Sequence, residues 1–176
     1  LSSDYRKIHA QGKWILPGFI NGHVHLSLNA GPRPETDMLE TDSYTLGIQG
    51  VQIASKILKA GITTVRDMGS KHFEVLAIRN AINRGMIPGP TIVAAGQALL
   101  MTGGPFSGME VDGIPSCLAG SRTQIHAGAD FIKVMATGGI GGPDEIPGSQ
   151  ELTFEEIKAC CDVARMAGKT SAAHAH

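Results

Sequence analysis

A chain of 176 residues is long enough for one domain whose core folds without disulfide staples. At 42% hydrophobic and 18% charged residues, with a formal net charge of -1, it lacks the concentrated basic face that nucleic acid or an anionic membrane surface requires. Cys117, Cys160 and Cys161 form neither an even framework nor a C-x-x-C pair, which points to reduced thiols and a cytoplasmic location; a secretory leader already removed is the alternative.

In chain order, the first expected strand lies near residues 18–25. A helix with Ile53, Ile57 and Leu58 on one face then runs to Ala60-Gly61, and Ile62-Thr63-Thr64-Val65 follows as a β-branched strand over about 62–66. A second helix is predicted from Phe73 to Arg84, ending at Gly85, before a strand at 91–95. The helix-glycine-strand grammar returns at Ala127-Gly128 before a strand at 130–135, and at Ala167-Gly168 before one at 170–174. Between the last two strands, Thr153-Phe154-Glu155-Glu156 fits a capping box, with Leu152 and Ile157 placed as a hydrophobic staple. Helices alternating with short apolar strands predict parallel βαβ units, and strands apolar on both faces predict a sheet covered throughout.

Three segments carry chemistry. His23 and His25 stand at i and i+2 at the end of the first strand, on one face, and neutral imidazole is a standard zinc ligand. In isolation such a pair more often caps a strand than binds a metal. Lys133 sits in the otherwise apolar run Phe131-Ile132-Lys133-Val134-Met135. Burial disfavours its ammonium and leaves a nucleophilic amine that can take up carbon dioxide as a carbamate, an anionic ligand able to bridge two metals. The alternative is a lysine that snorkels to solvent or pairs with Asp130 or Glu145. The third segment, Ala172-Ala173-His174-Ala175-His176, repeats the histidine spacing at the last strand. In a parallel barrel all strand C-termini face one rim, so His23, His25, Lys133 and His174 would converge there.

Four strings together resemble the metal-dependent amidohydrolase superfamily, and within it the Xaa-Pro dipeptidase-like and imidazolonepropionase-like branch. They are Leu-Pro-Gly-Phe-Ile-Asn-Gly-His-Val-His at 16–25, Gly-Ile-Thr-Thr-Val-Arg-Asp at 61–67, Ala-Gly-Ala-Asp-Phe-Ile-Lys-Val-Met-Ala-Thr-Gly-Gly at 127–139, and Ala-Ala-His-Ala-His at 172–176. The resemblance implies an α/β fold, a TIM-like (β/α)8 barrel with about five of its eight strands in residues 15–176. Residues 1–14 are similar to the tail of the small β-sandwich domain that precedes such barrels.

By the same resemblance, His23 and His25 hold the more buried metal, Lys133 as a carbamate bridges two metals, and His174 binds the second. The implied cofactors are divalent metals, two zinc ions, with carbamate on Lys133. His176, Thr137 and Gly138 are expected to contact substrate, and Gly139 to allow close backbone approach. Asp67 is expected to hold backbone amides or a neighbouring histidine. No catalytic residue is assigned, because the family's general-base aspartate and sixth-strand histidine have no counterpart here, so the 176 residues alone are expected to be inactive. Pro105 stands where the family often has histidine, and Val111 to Ser121 reads as poorly helical.

The implied function is metal-dependent hydrolysis of an amide or peptide bond in a dipeptide or N-acyl amino acid. Homo-oligomers, a small-molecule partner and no nucleic acid or membrane complete the expectation. The alternatives are an imidazolonepropionase-like cyclic amide hydrolase, an inactive fragment, or a non-enzymatic metal-binding remnant. A five-stranded sheet with bare edges invites aggregation, which favours part of a longer enzyme over a free-standing half-barrel.

Overall fold

The computed structural model describes residues 7–104, 106–140 and 145–176. It is an α/β fold in the order β1 (Phe19–Val24), α1 (Pro34–Glu40), α2 (Ser43–Lys59), β2 (Ile62–Asp67), α3 (Glu74–Asn83) and β3 (Thr91–Ala94). There follow β4 (Ala98–Leu100), β5 (Gly108–Glu110), α4 (Gly113–Ala127), β6 (Phe131–Met135), α5 (Phe154–Met166) and β7 (Thr170–His174). The strands form two sheets, β1-β2-β3 and β5-β4-β6-β7, and every pairing between strands is parallel.

Local chemistry explains the helix boundaries. Asp42 caps α2 by accepting the amides of Tyr44 and Thr45, and Gly61 closes its far end at φ +87°. The capping box at Thr153 forms as read: its hydroxyl accepts the Glu156 amide, and the Glu156 carboxylate accepts the Thr153 amide at 2.8 Å. Leu152 is fully buried with Ile157 packed against the same cluster, as a staple requires.

Each sheet has its own core. Leu26, Val65, Val75, Ile78 and Ile92 pack beneath α2 and α3, whereas Leu99, Ile132, Val134, Leu152 and Cys160 pack beneath α4 and α5. Fully burying one such side chain contributes roughly 1.5–3 kcal/mol before entropy is counted. The sheets meet where the Asp130 amide donates to the Ala94 carbonyl at 2.7 Å and the Asp130 carboxylate accepts the Ala94 amide and the Arg79 guanidinium. Met68, Ala95 and Phe131 make a third, smaller cluster across the same seam.

Four expectations need correction. The strand expected at 91–95 is the first piece of a longer run, broken at Gly96 (φ +76°), where a Cβ would lie 2.7 Å from Gln124 Oε1; β4 resumes it and pairs with β6 through Leu99 and Val134. Val111 to Ser121 is not poorly helical, since α4 begins at Gly113 and runs through it. Pro115 falls in the first turn, where a missing amide costs nothing, and Gly120 lets the helix approach until a Cβ there would sit 2.7 Å from Val111. The helix α1 and the strand β5 were not anticipated at all. Nor is the sheet covered throughout: Phe19 and Ile20 on β1 are 59% and 75% exposed, and Trp14 before it is 93% exposed. Residues 7–18 pair with no strand among the described residues, and residues 1–6 and Pro105 lie outside them.

Candidate metal centre

His23 and His25 reach the site from the end of β1, where the register against β2 slips between Asn21 and Val24. This bulge holds Gly22 and His23, and the Arg66 Nε–H donates to the Gly22 carbonyl at 3.1 Å. The two imidazole centroids lie 5.4 Å apart, nearly edge to face. Across the seam, β6 and β7 pair in register from Phe131 and Thr170 to Met135 and His174, so Lys133 stands beside Ala172 and His174 ends the ladder.

His23, His25, Lys133 and His174 line one cavity of about 230 Å³. The structure therefore brings together the four residues read as metal ligands. Gly139 also lines the cavity. His176, Thr137 and Gly138 do not line it; the His176 amide donates to Thr137 Oγ1 at 3.0 Å, and Gly138 packs on the 146–149 turn. Leu28, Glu35, Phe106 and Glu145 enter the wall from loops and from α1, and no periodicity in the sequence marks them. Phe106 is the non-glycine residue with positive φ among those described (+69°), and its ring lies 4.7 Å from that of His25. A strained aromatic on a candidate ligand is the kind of outlier that concentrates at functional sites.

The imidazoles are of the chemical type that divalent metals take as ligands. His25 Nδ1 donates to the Gly69 carbonyl at 2.8 Å, so the lone pair sits on Nε2. The Gly138 backbone bonds the His174 ring, and His174 Nε2 is buried without a hydrogen-bond partner. A Cβ at Gly139 would stand 3.2 Å from that nitrogen, so the glycine keeps the space before it open. Burial, and then the charges of Lys133, Arg66 and His174, lower the His23 pKa. Burial drives His25 down to about 4 and Lys133 down to about 8, the latter helped by Arg66. His174 is lowered by burial and by Lys133. Near neutral pH the imidazoles are thus unprotonated, the form a metal needs. Lys133 is 3% exposed and makes no ion pair among the described residues; Asp130, a possible partner, is tied to Arg79 at 2.6 Å.

Among the described residues no three His, Cys, Asp or Glu side chains are grouped closely enough to hold a metal unaided. Lys133 is the cationic group beside these rings, its charge acting on His23, His25 and His174 alike. Glu35, whose pKa is raised by burial and by Glu145, adds a carboxyl group to the cavity wall.

Compared with known proteins, the chain matches the sequence profile of the amidohydrolase family over residues 14–176. It is 27% identical to ochratoxinase of Aspergillus niger over 190 aligned residues, covering 92% of this chain and 39% of that protein. It superposes on a prolidase complexed with N-methylphosphonate-L-proline with a TM-score of 0.85 at 29% identity, over 96% of this chain and 45% of that one. A Xaa-Pro dipeptidase with bound methionine gives 0.82 at 27% identity, over 98% and 48%. The chain thus spans about two fifths of the length of the curated relatives it matches.

Proposed function

The chain belongs to the amidohydrolase family, and on that premise we propose that its strand ends form part of the metal centre of a hydrolase cleaving an amide bond in a dipeptide or N-acyl amino acid. The observation that carries the reading is the meeting of three imidazoles and a buried lysine on one cavity, with two rings bonded to backbone groups. We read His23, His25 and His174 as the nitrogen donors that would hold divalent metals and Lys133, as a carbamate, as the oxygen donor. Its neutral amine attacks carbon dioxide, the new N–C bond gives a carbamate, and a proton is released to solvent. Divalent metals bound there would supply Lewis acidity toward a scissile carbonyl and a water molecule. The chain's own residues fix that geometry: β1 sets His23 and His25, the β6-β7 ladder sets Lys133 beside Ala172 and His174 beside Met135, and the Phe106 ring packs on His25.

The same reading places residues 15–176 as the first five strands of a (β/α)8 barrel, with β3 and β4 as one strand, residues 1–14 as the end of a small β-sandwich domain, and the general-base aspartate in a part not present here. The exposed apolar edge at Phe19 and Ile20 supports it, because barrel closure would cover that edge. The prolidase and Xaa-Pro dipeptidase neighbours support dipeptides, and ochratoxinase supports other small amides. A buried lysine in the cavity favours two metals over a one-metal, imidazolonepropionase-like site. The test is metal analysis of the full-length protein, with diffraction at Lys133 in bicarbonate and a screen of dipeptides and N-acyl amino acids. About two metals per chain, density beyond the lysine amine and turnover are expected; metal-free protein with unmodified Lys133 would sink the reading.

A further inference from the structure

Asp67, at the end of β2, is wholly buried and absent from the donor set, yet its two oxygens reach both sides of His25. Oδ2 accepts the amide of Leu26, the next residue after His25, at 2.7 Å. Oδ1 accepts the amide of Gly69 at 3.0 Å, and the carbonyl of that same Gly69 takes the proton of His25 Nδ1. Gly69 adopts φ +138°, and a Cβ there would stand 3.3 Å from the Ala98 amide nitrogen, so few residues could turn the carbonyl this way. The next carboxylate along, Glu74, braces the same junction by accepting the Ser27 hydroxyl at 2.9 Å and the amides of Lys71 and His72.

We infer that Asp67 is a positioning residue for the metal centre: one carboxylate fixes both the backbone of His25 and the carbonyl that sets its tautomer, and so aims Nε2 at the cavity. The inference rests on the proposed metal-centre reading and adds to it a residue that touches neither metal nor substrate. An imidazole free to rotate or change tautomer would present a lone pair only part of the time, and the loss would appear as weaker metal binding.

The experiment uses the full-length protein with three substitutions: Asp67→Asn, Gly69→Ala and, as a stability control, Val65→Ala, which removes buried methyl groups from the same strand. The readouts are zinc affinity by chelator competition, the visible spectrum of the cobalt-substituted protein, and the nitrogen-15 shifts of His25 in metal-free protein. Asp67→Asn is expected to weaken zinc binding about 10- to 100-fold, change the cobalt spectrum and mix the His25 tautomers. Val65→Ala is expected to lower the melting temperature without those changes. Gly69→Ala keeps the carboxylate but moves the carbonyl, and should weaken zinc in the same way; it carries the test if Asp67→Asn does not fold. Zinc affinity and tautomer unchanged in Asp67→Asn, or equal zinc loss in Val65→Ala, overturns the inference alone. Wild-type protein that binds no zinc overturns the metal-centre reading and this inference together.

Discussion

Two histidine pairs with identical spacing end up in different surroundings. At the end of β1, His25 lies against Phe106 and is held through Gly69, which Asp67 anchors in turn. At the end of β7, His174 faces the cavity with its Nε2 free of hydrogen bonds, while His176 stays exposed, its backbone amide donating to Thr137 and its ring resting edge-on against that of His174 at 4.9 Å between centroids. The motif is the same; what separates a candidate ligand from a bystander is the loop that packs on the ring. Spacing proposes a site, and the neighbouring backbone decides which nitrogen is presented.

The widest separation should come from alanine substitutions in the full-length protein. His25→Ala is expected to lower hydrolytic activity and zinc content by more than about a hundredfold, whereas His176→Ala should change either by less than about threefold. Equal losses would erase the distinction. The next effect lies in pH. His25 titrates near 4 when folded against 6.5 unfolded, so its contribution to stability is present above pH 6.5 and is lost as pH falls toward 4. The loss is on the order of 3 kcal/mol. Asp67 runs the other way: burial raises it to about 7 against the pull of two amide donors, so its contribution is present below pH 3.8 and is lost as pH rises through 7. Urea denaturation of metal-free protein should thus show a muted slope between about pH 4 and 6.5. In His25→Asn the opposing fall with rising pH should emerge, and an unchanged profile would contradict the assignment.

A smaller change isolates the other pair. Gly139→Ala should put a methyl group against Glu145 Oε2 and beside His174 Nε2 and reduce activity about tenfold, while Gly22→Ala, which meets nothing within 4 Å, should be silent. Smallest is Thr153→Ala, which removes the cap of the helix leading into β7 and should cost about 1 kcal/mol of stability without altering zinc affinity. A measurable zinc defect there would mean that the His174 side depends on α5 more than its hydrogen bonds indicate.

Much of the frame was legible because its signals are local. Glycines closing helices at Gly61 and Gly128, and the Thr153 capping box, depend on a few neighbours, and the structure keeps them. The first half of α4 was not legible, since Pro115 and Gly120 read against a helix until the close packing on Val111 and Leu99 is known. The break at Gly96 depends likewise on Gln124, 28 residues later in the chain. At the candidate site the strand-borne residues His23, His25, Lys133 and His174 stood out as polar groups at the ends of apolar runs. Glu35, Phe106 and Glu145 did not, because loops carry no periodicity and their approach to the cavity is set by tertiary folding alone.

The seam at Asp130 has a further consequence. Each sheet has its own core, and the two are stitched by Asp130, Arg79 and the small cluster around Phe131. Cutting the stitch with Asp130→Ala should let amides of β2 and β6 exchange with solvent at separate rates, as two cooperative opening units in place of one. The donors proposed for the metals are divided between those units, with His23 and His25 on one and Lys133 and His174 on the other. A bound ion would then act as a second stitch, and the exchange rates of the two halves should draw together again as zinc is added.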